Sequence, residues 1–204
     1  ARAGGAGGPR PGVYSYRQEG SERGGAGPLK VSRERPATAR LVVTPAAGGY
    51  GRELDLSEEH IEGVRMRVGP TGTHEVSRRT KVTFVGVGRD DRRTLHPQPL
   101  ALPRALSPGR TWSGSYSAGG LPVSYRSTVL REEQVDVGGA RLPALVIRSV
   151  ARTGGPHPGD RIDVIWWSSA LSLPLRWDID TRIGGTFSLN TRARLDLEST
   201  TPAR

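Results

Sequence analysis

The sequence predicts a mainly β protein, an antiparallel meander of roughly nine or more strands with less than about 15% helix. Apolar and polar residues alternate with period two along most of the chain. Glycine-rich turns separate the alternating runs at short intervals, and apolar residues almost never recur at helical spacing. Strands joined by short turns pair as antiparallel neighbours, whereas parallel strands would need long crossovers.

Residues 1–11 read as a flexible Gly/Pro leader, and 12–199 as a single β domain with halves 12–95 and 96–199. In the first half, strands are expected at 13–19, 29–35, 39–44, 52–56, 60–68 and 73–87, with turns at 24–28, 46–49 and 69–72. Pro97, Pro99, Pro103 and Pro108 then punctuate an extended link. Beyond it, Val123, Tyr125, Val129, Val135 and Val137 share one parity, and Ala140, Leu142, Ala144, Val146 and Val150 the other. A two-residue Gly138-Gly139 turn reconciles them by placing Val137 opposite Ala140. On the strand from 160 to 167, Ile162, Val164 and Trp166 form one face and Arg161 and Asp163 the other. Adjacent Trp166 and Trp167 must point to opposite faces, Trp167 packing under 168–174 or lining a groove. The last hairpin carries Leu173, Leu175, Trp177, Ile179 and Ile183 on one strand and Phe187, Leu189, Ala193, Leu195 and Leu197 on the next. A three-residue loop, Gly184-Gly185-Thr186, puts Ile183 opposite Phe187 and Trp177 opposite Ala193, and buries Trp177 with Leu175, Ile179, Leu189 and Leu195.

Composition narrows the function. The chain has 204 residues, 30 basic against 20 acidic, for a net charge of +10. All but Lys30 and Lys81 of the basic residues are Arg, spread from Arg2 to Arg204 with acids between them. A specific nucleic-acid binder concentrates its charge on one element with aromatics interleaved, so no such partner is expected. There is no Cys, which excludes disulfides, thiolate metal sites and a Cys nucleophile. No apolar run reaches the ~20 residues of a transmembrane helix.

Catalytic patterns are equally scarce. His60, His74, His96 and His157 show no metal-ligand spacing and read as solvated. Asp178 and Asp180 lie on the polar face of a strand beside Arg176 and Arg182, where cross-strand ion pairs account for them. No serine stands in Gly-x-Ser-x-Gly, and no glycine-rich stretch continues into Gly-Lys-Ser/Thr. The expectation is a protein without enzymatic activity, metal or cofactor.

Residues 95–198 carry a further pattern: Leu102-Pro103, then Leu106-Ser107-Pro108-Gly109-Arg110-Thr111-Trp112, then Val135-Asp136-Val137-Gly138-Gly139, then the run from Trp166-Trp167 to Pro174-Leu175-Arg176. It resembles uncharacterised bacterial secreted proteins and lipoproteins that share a curved half-barrel with lipoprotein carriers. The resemblance implies a single curved antiparallel sheet and an extracytoplasmic, envelope-associated location, and the start at Ala1 is read as following removal of a signal peptide. Arg, Gly, Ala and Pro richness suggests an actinobacterial envelope. It further implies a lipid or lipidated partner in the concave face, for which Val129, Val146, Ile162, Val164, Trp166, Trp177 and Leu189 are the candidates. The other expectation is an envelope scaffold whose strand edges and arginines bind a protein or an anionic glycan.

Overall fold

A computed structural model describes residues 8–27, 29–84, 87–156 and 158–203; residues 1–7 of the expected leader and His157 lie outside them. Fourteen strands follow one another: β1 (Gly12–Ala26), β2 (Leu29–Glu34), β3 (Thr38–Ala46), β4 (Gly49–Ser57), β5 (His60–Gly69), β6 (Gly72–Phe84), β7 (Val87–His96), β8 (Leu100–Pro103), β9 (Thr111–Ala118), β10 (Leu121–Val137), β11 (Ala140–Thr153), β12 (Gly159–Ser168), β13 (Leu173–Ile183) and β14 (Phe187–Leu197). Every pairing is antiparallel, and no helix occurs among the described residues.

The sheet closes on itself. β1 pairs β14 from Tyr16↔Leu197 to Ala26↔Phe187, which completes a barrel of twelve strands with β2 and β8 as additions. An open half-barrel is therefore the wrong architecture for this chain, because its first and last strands satisfy each other's edges. The closure was hidden in the glycines of β1. Gly20, Gly24 and Gly25 break the alternation, yet β1 runs through all three. Its outer edge bonds β3 through Gly12–Arg17 and then β2 through Ser21–Ala26, so Gly20 sits at the hand-over, with φ +139° and its carbonyl accepting the Arg35 N–H at 2.8 Å. Residues 8–11 are no loose leader: Pro9 is buried, and the Arg10 carbonyl accepts the Tyr14 hydroxyl at 2.9 Å.

Two other registers differ from expectation. Val137 does face Ala140 across Gly138-Gly139, both at positive φ, but Leu130 is an extra residue that shifts the β10–β11 ladder. Val123 and Val129 thus belong to one face and Val135 and Val137 to the other, and Leu130 is 43% exposed. In the last hairpin, odd positions do pair with odd, but Ile183 faces Leu189 and Trp177 faces Leu195. The loop is two residues longer because Phe187 and Ser188 bond β1, while Gly184 N–H donates to the Pro158 carbonyl at 2.8 Å.

The main apolar core, including Tyr16, Leu41, Leu56, Leu175 and Leu195, fills the barrel end where β3–β4, β10–β11 and β12–β13 connect. Trp177 packs against it half-buried, whereas Leu189 belongs to a separate cluster with Val82 and Phe84. On the outer wall of β13–β14, Asp178 faces Arg194 and Asp180 faces Arg192, the cross-strand pairs the sequence implied. β7 has no counterpart in the sequence reading. Its inward positions are Arg89, Asp91, Arg93 and Leu95, so charge occupies the parity where apolar residues mark a buried face.

The wall is thinnest beside β7. β7 meets β9 through only two residue pairs, Leu95↔Ala118 and His96↔Ser117. β8 fills the space below by pairing the start of β6, and it meets β9 and β10 through side chains. Trp112 Nε1 donates to the Leu100 carbonyl at 3.1 Å, and Leu100 N–H donates to the Tyr125 hydroxyl at 3.1 Å.

Candidate functional site: a divided lumen

An ionic belt crosses the barrel interior. Glu22 of β1 is 1% exposed. Its Oε1 accepts Arg35 Nη2 and His60 Nδ1, each at 2.5 Å, and the Thr191 hydroxyl at 3.0 Å. Its Oε2 accepts Arg33 Nε at 2.9 Å and Nη2 at 2.5 Å. His60 of β5, 1% exposed, turns its Nε2 toward Glu62 Oε1 at 3.4 Å. Arg161 of β12 reaches both Glu62 oxygens, at 2.9 and 2.8 Å, and both oxygens of Asp163. Arg78 of β6 makes a two-point pair with Glu75, at 2.8 and 2.9 Å. Buried charges persist when each finds such partners.

The partners set the protonation states. Burial opposes the charged form of Glu22, but the His60 hydrogen bond and charge, with Arg35 and Arg33, hold its carboxyl at about 2. Burial is likewise outweighed at Glu62, which Arg161 and His60 keep well below the usual 4.5. Burial alone would lower His60; its hydrogen bond to Glu22 and the carboxylates of Glu22 and Glu62 beside it raise it above 6.5.

Stability should follow these shifts. The His60 contribution is complete below pH 6.5 and is lost as the pH rises through its raised value. The carboxylate contributions are complete above pH 4.5 and are lost as the pH falls toward about 2. From these groups, Tm should peak between roughly pH 4.5 and 6.5. Calorimetry across pH checks this, and His60→Gln should flatten the alkaline limb. A wild-type Tm that is level from mildly acidic to alkaline pH would show that the imidazolium contributes nothing.

The belt divides the lumen into two cavities that share Glu62, Arg78, Tyr116 and Arg161 as lining. The first has a volume of about 210 Å³. Its wall is mostly apolar, with Val82, Leu95, Leu121, Val123, Ile183 and Leu189 beside the paired Asp91 and Arg93 of β7, and its floor is His60, Glu62, Arg78, Arg161 and Thr181. Solvent-exposed Arg89, Asp160 and Arg182 rim it at the end where β9–β10, β11–β12 and β13–β14 connect. The second, about 160 Å³, lies behind β8, with Trp112, Trp167, Trp177 and Tyr125 among aliphatic and charged lining residues. Among the described residues, four buried polar atoms of the belt region lack a hydrogen-bond partner: Arg35 Nε and Nη1, His60 Nε2 and Thr181 Oγ1.

The seven residues expected to line a ligand site do not share one face. Leu189 lines the first cavity. Trp177 lines the second, its Nε1 donating to Asp163 Oδ1 at 2.9 Å. Val129 is fully buried with Trp112, Ile147 and Trp167 on the lumen side. Val146, Ile162, Val164 and Trp166 take the opposite face, since Arg161, Asp163 and Ile165 point inward on β12; there Val146 and Trp166 are buried as part of the main apolar core, with Val164 packed against it. Trp166 donates to Glu133 Oε2 at 2.5 Å, and the Arg176 guanidinium lies 5.3 Å from its ring centre. Trp167 does take the other side of the sheet, but packs in the lumen with Trp112.

Sequence reasoning missed the belt itself, and His60 is buried where a solvated ring was expected. One signal was present. His60 and Glu62 continue the parity of Val64 and Met66, and Glu22 that of Tyr14, Tyr16 and Gln18. Charged groups on a core parity mark a polar interior. Comparison with family models, curated proteins and solved structures gives no match to this chain.

Proposed function

We propose that this barrel is a non-catalytic carrier or sensor that takes a small, largely apolar molecule into its first lumenal cavity. The observation that supports the reading is a mostly apolar wall above an ionised floor, rimmed by solvent-exposed charges. Such concave, mostly apolar sites with a few convergent polar groups are the usual form of a small-molecule site. Size refines the expected lipid ligand. A 150 Å³ apolar cavity holds benzene, so 210 Å³ suits a body of about eight heavy atoms rather than a long acyl chain. An extracytoplasmic, envelope-associated location belongs to the proposal and rests on the resemblance carried by residues 95–198.

The test is titration of the folded protein with 1-hexanol, followed by the NMR shifts of Leu189 and Ile183 methyl groups. Saturable shifts there are expected, and Leu189→Trp, which fills the cavity, should abolish them. Shifts scattered over the outer wall would count against the lumen.

A second reading is supported by the outer wall. Arg126 and Arg148 are exposed and pair with no carboxylate among the described residues, and Arg152 extends the same face of β10 and β11. Charged outward positions are unlike the apolar band of a membrane-spanning barrel. They suit a scaffold that holds an anionic glycan, and retention on an immobilised acidic polysaccharide should fall in the Arg126→Ser, Arg148→Ser double variant.

A further inference from the structure

The floor of the first cavity carries more information than its volume. Thr181 is 9% exposed and its hydroxyl has no hydrogen-bond partner. It lies directly across the ladder from Arg161 on one side and from Thr191 on the other. Thr191 donates to Glu22, whose other oxygen contacts include His60 Nδ1. His60 Nε2, also buried, has only the 3.4 Å approach of Glu62 Oε1 and no hydrogen bond. Two unsatisfied polar atoms, on β13 and β5, thus belong to residues lining the same space. Buried polar groups without partners are rare in native structures and call for a partner, a water molecule or a ligand.

The charges restrict what that partner is. Arg161 already holds Glu62 and Asp163, Arg78 holds Glu75, and Glu22 holds Arg33, Arg35 and His60. Among the described residues, the floor has no unpaired cation to welcome a carboxylate and no unpaired anion to welcome an amine. An ionic head would enter a buried, charge-balanced layer with nothing to neutralise it. A neutral group that accepts and donates hydrogen bonds meets both orphaned atoms without that cost.

Resting on the lumenal-ligand reading, we infer that the cavity selects an uncharged molecule with a compact apolar body and a single amide, alcohol or carbonyl head, the head bound by Thr181 Oγ1 and His60 Nε2. The carbonyl oxygen accepts from both, and the apolar body lies along Val82, Ile183 and Leu189.

The experiment compares hexanamide, hexanoate and hexylamine, which differ chiefly in the head, by titration of the full chain near neutral pH. Hexanamide should bind at least about tenfold tighter than either ion. Thr181→Val keeps the shape and removes the hydroxyl. It should weaken hexanamide by about fivefold to tenfold while leaving an apolar comparator, cyclohexane, unchanged. His60→Gln, which can also donate, should retain more hexanamide binding than His60→Leu; both variants are read only after their folding is confirmed by circular dichroism. Tighter binding of hexanoate or hexylamine overturns the inference but leaves the lumenal reading standing. Equal binding of hexanamide by wild type and Thr181→Val overturns it as well, because the hydroxyl then has only water for a partner. If cyclohexane, 1-hexanol and all three head-group probes fail to bind, the lumenal reading falls and this inference with it.

Discussion

Replacing Glu22 by Leu is expected to cost about 3–5 kcal/mol of folding stability. The carboxylate accepts hydrogen bonds from Arg33, Arg35, His60 and Thr191, and no other group in reach replaces it. Removing it leaves the Arg35 guanidinium, 7% exposed, without its carboxylate partner and the His60 ring, 1% exposed, with Glu62 alone. His60 would respond by losing its proton, since one of its two carboxylate partners has gone and burial then dominates. The variant should therefore lose the alkaline decline in Tm as well as stability. Urea denaturation measures the first effect and calorimetry across pH the second. Glu132→Leu, at an exposed position without an ion-pair partner among the described residues, is the control and should stay within about 0.5 kcal/mol of wild type. A Glu22→Leu loss no larger than that control would mean that water hydrates the belt.

Gly20→Ala is the second large effect, through the backbone. A methyl group there would overlap the carbonyl oxygen of Arg192 on β14, and the φ of +139° is one that L side chains rarely adopt. The conformation alone is worth about 1–3 kcal/mol, and the overlap adds to it. A total near 3 kcal/mol or more is expected. Because Gly20 stands where β1 passes from β3 to β2, the damage should show as faster amide exchange along both the β1–β14 and β1–β2 ladders. Gly48→Ala is informative beside it. Gly48 also has positive φ, +69°, but a methyl group there meets nothing within 4 Å. Its cost should be the smaller by far, and equal costs would assign the whole effect to φ.

The parts of this fold that were legible were those where polarity and burial agree. The strands at 160–167 and 173–197 were plain because one parity is apolar, and Gly138-Gly139 fixed its turn because both residues need positive φ. Legibility failed where the interior is polar. On β12 the apolar parity of Ile162, Val164 and Trp166 is the face away from the lumen, while Arg161 and Asp163 look inward, and alternation alone does not say which of the two faces is concave. β7 vanished for the same reason. Closure and the last register depend on competition among strands distant in sequence: Phe187 and Ser188 choose β1 over β13. Local alternation carries no term for that choice.

Closing the barrel with its first and last strands also dictates the order in which the chain can finish folding. Thr191 meets Glu22 across a sequence separation of 169 residues, so the lumen cannot be sealed until the chain through β14 has been synthesised. During translation β1 waits with one edge unsatisfied, and Arg33, Arg35 and His60 can collect around Glu22 before the Thr191 hydroxyl arrives. Long-range pairing of this kind folds slowly, and a waiting edge is a template for the wrong neighbour. The exposed arginines and lysine that flank the early ladder, Arg17, Arg23 and Lys30, repel a second copy at that edge. Charge at these positions thus disfavours wrong pairing of β1 during the interval before β14 comes within reach.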